Sequence, residues 1–290
     1  MYYTGFADEV SPNIDRQIAA TKALGWSNIE SRVANGANIH DISNEEFDIV
    51  YGKLQDAGVS VNCFGTTIAN WAKQIDAAED TSFEELDRAI PRMKRLGTKL
   101  MRVMSYAIRR DENGEVLEDQ MEEERFSRLR RITESLLAEG IQPVHENCMN
   151  YGGMSYSHTL KLLDNVPGLK LVFDTGNPIF NNDYSKEGYP KQDAFEFYEN
   201  VKEHIAYVHI KDGQFTDKMN YSLPGKGDGY VAKILADLFA NGYDGGLSIE
   251  PHLGVVFHDD SDERDMDYCY NAYIEYGQTL ETIVNKIKSV

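Results

Sequence analysis

The chain has 290 residues, 41% of them hydrophobic and 27% charged, a balance that excludes a disordered or fibrous protein. Its 29 Lys and Arg stand against 48 Asp and Glu, and the net charge of −19 repels nucleic acid and anionic membranes over much of the surface. Three cysteines, Cys63, Cys148 and Cys269, exclude a disulfide scaffold and match no zinc thiolate spacing, which fits a reducing cytoplasm.

In chain order, short apolar runs alternate with longer amphipathic stretches. Strands are predicted at 3–7, 28–31, 59–64, 100–104, 141–145, 169–173, 205–210 and 246–249. Helices are predicted at 13–24, 44–56, 82–96, 121–139, 157–165, 192–202, 230–239 and 266–287. Gly25, Gly58, Gly97, Gly140 and Gly242 follow helices, where a residue with no Cβ enters positive φ without penalty. Eight repeats of strand and helix predict a parallel sheet closed into a (β/α)8 TIM barrel, a single domain over 1–290. An open doubly wound sheet is the competing arrangement, but GFADEV after the first strand is no dinucleotide fingerprint. The long inserts at 66–80, 107–119, 177–190 and 212–229 all follow strands, so a barrel places them on its catalytic face. The opening MYYTGFADEV has neither the basic start nor the apolar run of a signal peptide, and a cytoplasmic location is expected.

The strand ends carry the chemistry. IQPVHEN, LKLVFDTGN, IAYVHIKDG and GLSIEPH finish four successive strands in Glu146, Asp174, His209 and Glu250. A barrel gathers these ends in one bowl, where three carboxylates would repel and take up protons unless a cation joined them. Three oxygen donors and one imidazole suit one divalent ion: Mn²⁺ first, with Mg²⁺, Co²⁺ or Zn²⁺ as alternatives. One acidic residue at a strand end could merely cap a helix, and His209 alone could be a core histidine. Four in succession argue for a metal site. Further polar groups are expected to touch the substrate: Asn62, Arg102, Lys211, Asn177, His252 and His258, with Phe64, Trp71, Tyr106, Tyr151 and Phe180 as aromatic walls. Arg102 lies inside a strand pattern and needs a partner, as structure or as a substrate contact. A cation held this way can polarise a hydroxy-ketone and steady an enediolate, with Glu146 and Glu250 removing and returning a proton. Epimerisation, isomerisation, dehydration and hydrolysis all remain open on these residues.

The segments HEN, VFDTGN, VHIKDG, LPGKGDG and IEPH, within a likeness running from GFADEV to the eighth strand, resemble the sugar phosphate isomerase/epimerase family. This is the group of xylose-isomerase-like TIM barrels that includes ketose 3-epimerases, hydroxypyruvate isomerase and inosose dehydratase. The resemblance implies Glu146, Asp174, His209 and Glu250 as metal ligands, and Glu146 and Glu250 as the acid/base pair of a metal-dependent isomerase or epimerase. It also implies a small-molecule sugar substrate and a homo-oligomer, a dimer or tetramer. The chain departs from the family pattern at Asn177, where many members have histidine, and at Lys226, where many have glutamate, so the substrate does not carry over. A sugar dehydratase on the same site and a catalytically silent sugar-binding barrel are the alternative readings. The more distant endonuclease relatives use many more histidines than the seven here. With basic groups limited to Lys211, Lys218, Lys226 and Arg102, a neutral sugar is favoured over a phosphorylated one.

Overall fold

The computed structural model of the chain describes residues 1–78, 80–254 and 265–289. Its main sheet has eight parallel strands: β1 (Tyr2–Gly5), β2 (Asn28–Ser31), β3 (Ser60–Gly65), β4 (Leu100–Val103), β5 (Gln142–Glu146), β6 (Lys170–Asp174), β7 (Ile205–Ile210) and β8 (Gly246–Ile249). Each strand pairs with its neighbour in sequence from β2 to β8, and β1 pairs with β8. A parallel bridge between Phe6 and Glu30 brings the β1 and β2 ends together and completes the ring. The helices alternate with the strands: α1 (Ile14–Ala23), α2 (Asn44–Ala57), α3 (Ser82–Leu96), α4 (Glu122–Ala138), α5 (Tyr156–Asn165), α6 (Ala194–Val201), α7 (Val231–Ala240) and α8 (Met266–Lys288). This is the (β/α)8 barrel expected from the sequence. No helix among the described residues is long and apolar enough to cross a membrane.

Local chemistry explains the boundaries. Asn13, Ser43, Ser155 and Asp193 accept backbone N–H groups at the starts of α1, α2, α5 and α6, satisfying donors the first turn leaves open. Gly58 and Gly97 end α2 and α3 at φ of 63° and 74°, as the C-cap reading requires.

Strand alternation then sorts the side chains. Leu171, Phe173, Val208, Ile210, Leu247 and Ile249 belong to the large apolar cluster between sheet and helices. Cys63, Val144, Val172 and Tyr207 form a second, small cluster, which is the apolar layer inside the barrel. The side-chain period of two puts Glu146, Asp174 and His209 on the same inner face, one step towards the strand C-termini. The barrel therefore has an apolar floor with ionisable groups above it.

His145 points the other way, between β5 and the loop after it. It is wholly buried, with Nε2 3.0 Å from both Ser105 Oγ and Asn150 Oδ1. Burial, against the weaker pull of Asn150 and Glu146, pushes its pKa down to about 4. The unfolded chain therefore takes up a proton near pH 6.5 that the folded chain refuses until about pH 4. Stability contributed by neutral His145 is full above 6.5 and falls as pH drops towards 4, by about 2 kcal/mol at pH 5. Denaturant titrations at pH 8 and pH 5 should show a gap between wild type and His145→Asn that narrows by this amount at the lower pH.

Candidate metal centre and active site

The site builds upward from the strand ends. Glu146 is the last residue of β5, Asp174 the last of β6, His209 the fifth of the six in β7, and Glu250 follows β8. All four are buried, and each offers one donor atom such that the four atoms lie within 4.8 Å of one another. Each side chain is aimed by its neighbours. Asp174 Oδ1 accepts the backbone N–H groups of Gly176 and Asn177 at 2.8 and 2.7 Å, which turns Oδ2 towards the centre. Asn147 stitches β5 to β6 by a reciprocal pair of hydrogen bonds with the Asp174 backbone. Glu146 accepts from Arg102 Nη1 on Oε2 at 2.9 Å and from Asn177 Nδ2 on Oε1 at 3.0 Å. Glu250 Oε1 accepts from Arg32 Nη1 at 3.1 Å, and Arg32 is itself gripped by Asp8. His209 turns Nε2 towards Glu30 at 3.0 Å, and its Nδ1 lies 3.7 Å from Glu146 and 3.9 Å from Glu250.

Asp174 Oδ2, His209 Nδ1 and Glu250 Oε2 are among the buried side-chain atoms that make no hydrogen bond among the described residues. They are one donor each from three of the four predicted ligands. Buried polar atoms are rarely left unpaired in folded proteins. Lys211 Nζ lies 3.0 Å from Asp174 Oδ2 and 2.9 Å from Glu250 Oε2 and ion-pairs with both. Around the bowl, Asp8, Glu9, Glu30, Glu146, Asp174 and Glu250 face Arg32, Arg102 and Lys211. Six carboxylates against these three cations and the His209 imidazolium leave an excess of two negative charges, which a divalent ion would offset. Donor set, orphaned atoms and charge all fit a divalent cation.

The electrostatics agree. Burial works to raise Glu146, but the Arg102 guanidinium and His209 outweigh it and hold the carboxyl at about 2. Glu250 is buried too, yet Lys211, His252 and Arg32 hold it well below the usual carboxylate range. Burial dominates at Asp174, raising it to about 6 despite Lys211. Burial would lower His209, but Glu30 and Glu146 lift it to about 10. A cation arriving at Nδ1 must therefore displace a proton.

The expected substrate contacts divide into two groups. Arg102, Asn177, Lys211 and His252 line the same cavity as Glu146 and Glu250, as do Trp71 and Phe180. Asn62 and Phe64 do not. The pairing of β2 with β3 matches Ile29 to Val61 and Glu30 to Cys63, so Asn62 is the extra residue of a bulge. Asn62 bonds Thr4 and Tyr207 on the barrel floor, and Phe64 is buried in the cluster between sheet and helices. Tyr106 and Tyr151 are likewise wholly buried, bonding Asp80 and Glu122. Lys218 and Lys226 do not line the cavity. His258 lies outside the described residues. Glu30, Arg32, Asp8 and Glu9 are the residues that reading strand ends one at a time does not assemble. Their signal was the run of acids in GFADEV and the ESR of NIESR, two charged clusters flanking predicted strands.

The LPGKGDG segment has a structural explanation. Asp212 is buried, and its two oxygens accept the backbone N–H groups of Gly213, Gly225, Gly227 and Gly229 at 2.7–3.1 Å. A Cβ at Gly227 would sit 2.2 Å from Gly213 O and 2.4 Å from Asp212 Oδ1, so only glycine allows this wrap. The loop after β7 is thereby tied down beside Lys211.

The profile of the xylose isomerase-like TIM barrel family matches residues 18–266. The chain belongs to that family. Among solved structures, it is similar to a D-tagatose 3-epimerase-like protein at a TM-score of 0.72 and 16% identity, covering 100% of this chain and 99% of that one. It is similar to a xylose isomerase-like TIM barrel protein from Mycobacterium smegmatis in complex with magnesium (TM-score 0.67, 17% identity, 92% and 88% covered). It is also similar to D-psicose 3-epimerase with D-tagatose from Clostridium cellulolyticum H10 (TM-score 0.65, 13% identity, 97% and 99% covered). At these identities the likeness establishes the fold. Among curated proteins, none matches the chain by sequence.

Two measurements follow from this geometry. Calorimetry with Mn²⁺ should give one strong site per chain, and free metal at 100 times its Kd should add about 2.7 kcal/mol to the unfolding free energy. Asp174→Asn should abolish most of that gain. Separately, Asp212→Ala strips several buried N–H groups of their acceptor and should cost about 3 kcal/mol or more in denaturant unfolding. Asp212→Asn, which keeps one acceptor oxygen, should cost less.

Proposed function

We propose that the chain is a metal-dependent isomerase or epimerase of a keto-sugar or sugar derivative, with Mn²⁺ as the ion. The observation that carries this reading is a four-donor cluster of which two carboxylates, Glu146 and Glu250, line one cavity. A divalent cation held there would draw electrons from the carbonyl of a bound hydroxy-ketone and acidify the neighbouring C–H. The chain's own groups would do the rest. Glu250, which lines the cavity and is held ionised, can accept the proton from carbon. Glu146, braced by Arg102 and Asn177, would be the partner that returns a proton, after first taking one up against the pull of Arg102. Return to the same carbon inverts it, and return to the adjacent carbon moves the carbonyl. Lys211 and Asn177, bonded to each other at 3.1 Å, present N–H groups to substrate oxygens.

The cavity, about 660 Å³, falls in the range of small-molecule sites. Its mouth carries Arg110 and Lys191, held by neutral partners: Arg110 by Gly114 O and Tyr184 Oη, Lys191 by Phe180 O. No bond of either to a carboxylate is seen among the described residues, so an acidic substituent on the sugar fits this mouth, whereas the sequence favours a neutral sugar. A dehydratase is the second reading, because the buried Lys211 ammonium beside Glu250 could protonate a departing hydroxyl.

Incubating the Mn²⁺-loaded protein with neutral and phosphorylated ketoses in D₂O, followed by proton NMR, tests these readings together. Solvent deuterium should enter beside the carbonyl, and Glu146→Gln or Glu250→Gln should each slow exchange by about 10²–10⁴-fold. Loss of water from the product would select the dehydratase, and sugars unchanged in every tube would leave only a binding barrel.

A further inference from the structure

We propose that Glu30 is a positioning residue for the cation site: from the centre of the barrel it locks His209 in the orientation and tautomer that present Nδ1 to the ion. This rests on the metal-dependent reading above and extends it to a residue outside the donor cluster.

Glu30 is wholly buried at the end of β2, and its backbone also forms the Phe6 bridge that closes the barrel. A carboxylate there has no solvent to stabilise it, so its hydrogen bonds define its state. Oε2 accepts from Ser248 Oγ at 2.6 Å and from Tyr207 Oη at 2.8 Å, and His209 Nε2 lies 3.0 Å away. His209 Nε2 is also 3.2 Å from Oε1. Three donors converging on one side chain require an acceptor-only, ionised carboxylate. Nε2 must then carry its proton towards Glu30, which leaves the lone pair of the neutral ring on Nδ1.

Two aromatic rings hold the imidazole in this plane. Phe6 meets it edge-on at 5.1 Å between centroids, and Tyr207 at 5.5 Å. A ring flip would turn Nδ1 away from Glu146 and Glu250 and place a carbon against Glu30. Nδ1, unpartnered as it stands, faces the other donors. The arrangement is a carboxylate–imidazole pair aimed into the donor cluster, the pattern by which outer groups orient metal-binding histidines. Glu30 is supplied by β2, on the far side of the barrel from β5 to β8, so the closure of the ring brings it under the site.

The test uses the full chain and Mn²⁺ as probe. Glu30→Gln keeps the shape but offers an amide that can donate to Nε2, so the tautomer is no longer dictated. Its Kd for Mn²⁺, read by calorimetry, should rise roughly 10- to 100-fold, the usual effect of removing such a partner. An unchanged Kd in a folded Glu30→Gln protein would overturn the proposal and leave Glu30 a core residue, even if its Tm falls. Should that variant not fold, the wild type decides: with the diamagnetic Mg²⁺ bound, imidazole nitrogen NMR should show His209 protonated at Nε2 and not at Nδ1. The reverse pattern overturns the proposal. A wild-type chain that binds no divalent ion would instead remove the metal reading itself, before Glu30 is reached.

Discussion

The structure depends on one electrostatic constraint: more negative charge is buried at the top of the barrel than the barrel can neutralise. Asp8, Glu9, Glu30, Glu146, Asp174 and Glu250 share the bowl with Arg32, Arg102 and Lys211. Removing charges from water is costly, and an ion pair recovers the loss only with good geometry and further hydrogen bonds. Where such partners exist, the carboxylates are fixed by them. Asp174 Oδ2 and Glu250 Oε2, which share the single Lys211 ammonium, converge with His209 Nδ1. That convergence gives four donor atoms within 4.8 Å of one another, close enough to hold one metal ion.

The polar residues act in layers. Tyr207 and Ser248 orient Glu30, Glu30 orients His209, Asp8 orients Arg32, and Arg32 orients Glu250. Arg102 reaches from Thr66 O to Glu146, so the loop after β3 is coupled to the donor cluster. His252, with backbone φ of 52°, donates its N–H to Glu9 and packs against Tyr221 at the cavity wall. A left-handed histidine is an uncommon conformation that persists where its surroundings enforce it. The side chains of this bowl are therefore held by partners from several strands and loops.

The four donors were readable in the sequence because a barrel strand announces its C-terminal end: an apolar run stops at a polar residue. The same rule failed at Phe64 and Asn62. One unpaired residue in β3 changes which side chains face inward, and no hydrophobic pattern six residues long reveals a bulge. Glu30 was visible as a strand-end acid, but its role needed β7 and β8 beside it. Arg110 and Lys191 lie on loops more than 80 residues apart, and nothing in either loop's sequence says that they share a cavity mouth. The LPGKGDG motif could be marked as distinctive, but its glycines read as catalytic or structural with equal ease until Asp212 was seen to collect their N–H groups.

By itself the sequence determined the eight strand–helix repeats, their closure into a barrel, and the four donors at the ends of β5 to β8. These follow from local periodicity, capping and the single direction in which parallel strands point. Tertiary structure decided which oxygens are satisfied and which are orphaned, which histidine nitrogen faces the bowl, and which inward residues belong to the floor rather than the site. Those properties depend on hydrogen-bond partners that lie as many as 218 residues away along the chain. Only ring closure brings such partners within reach.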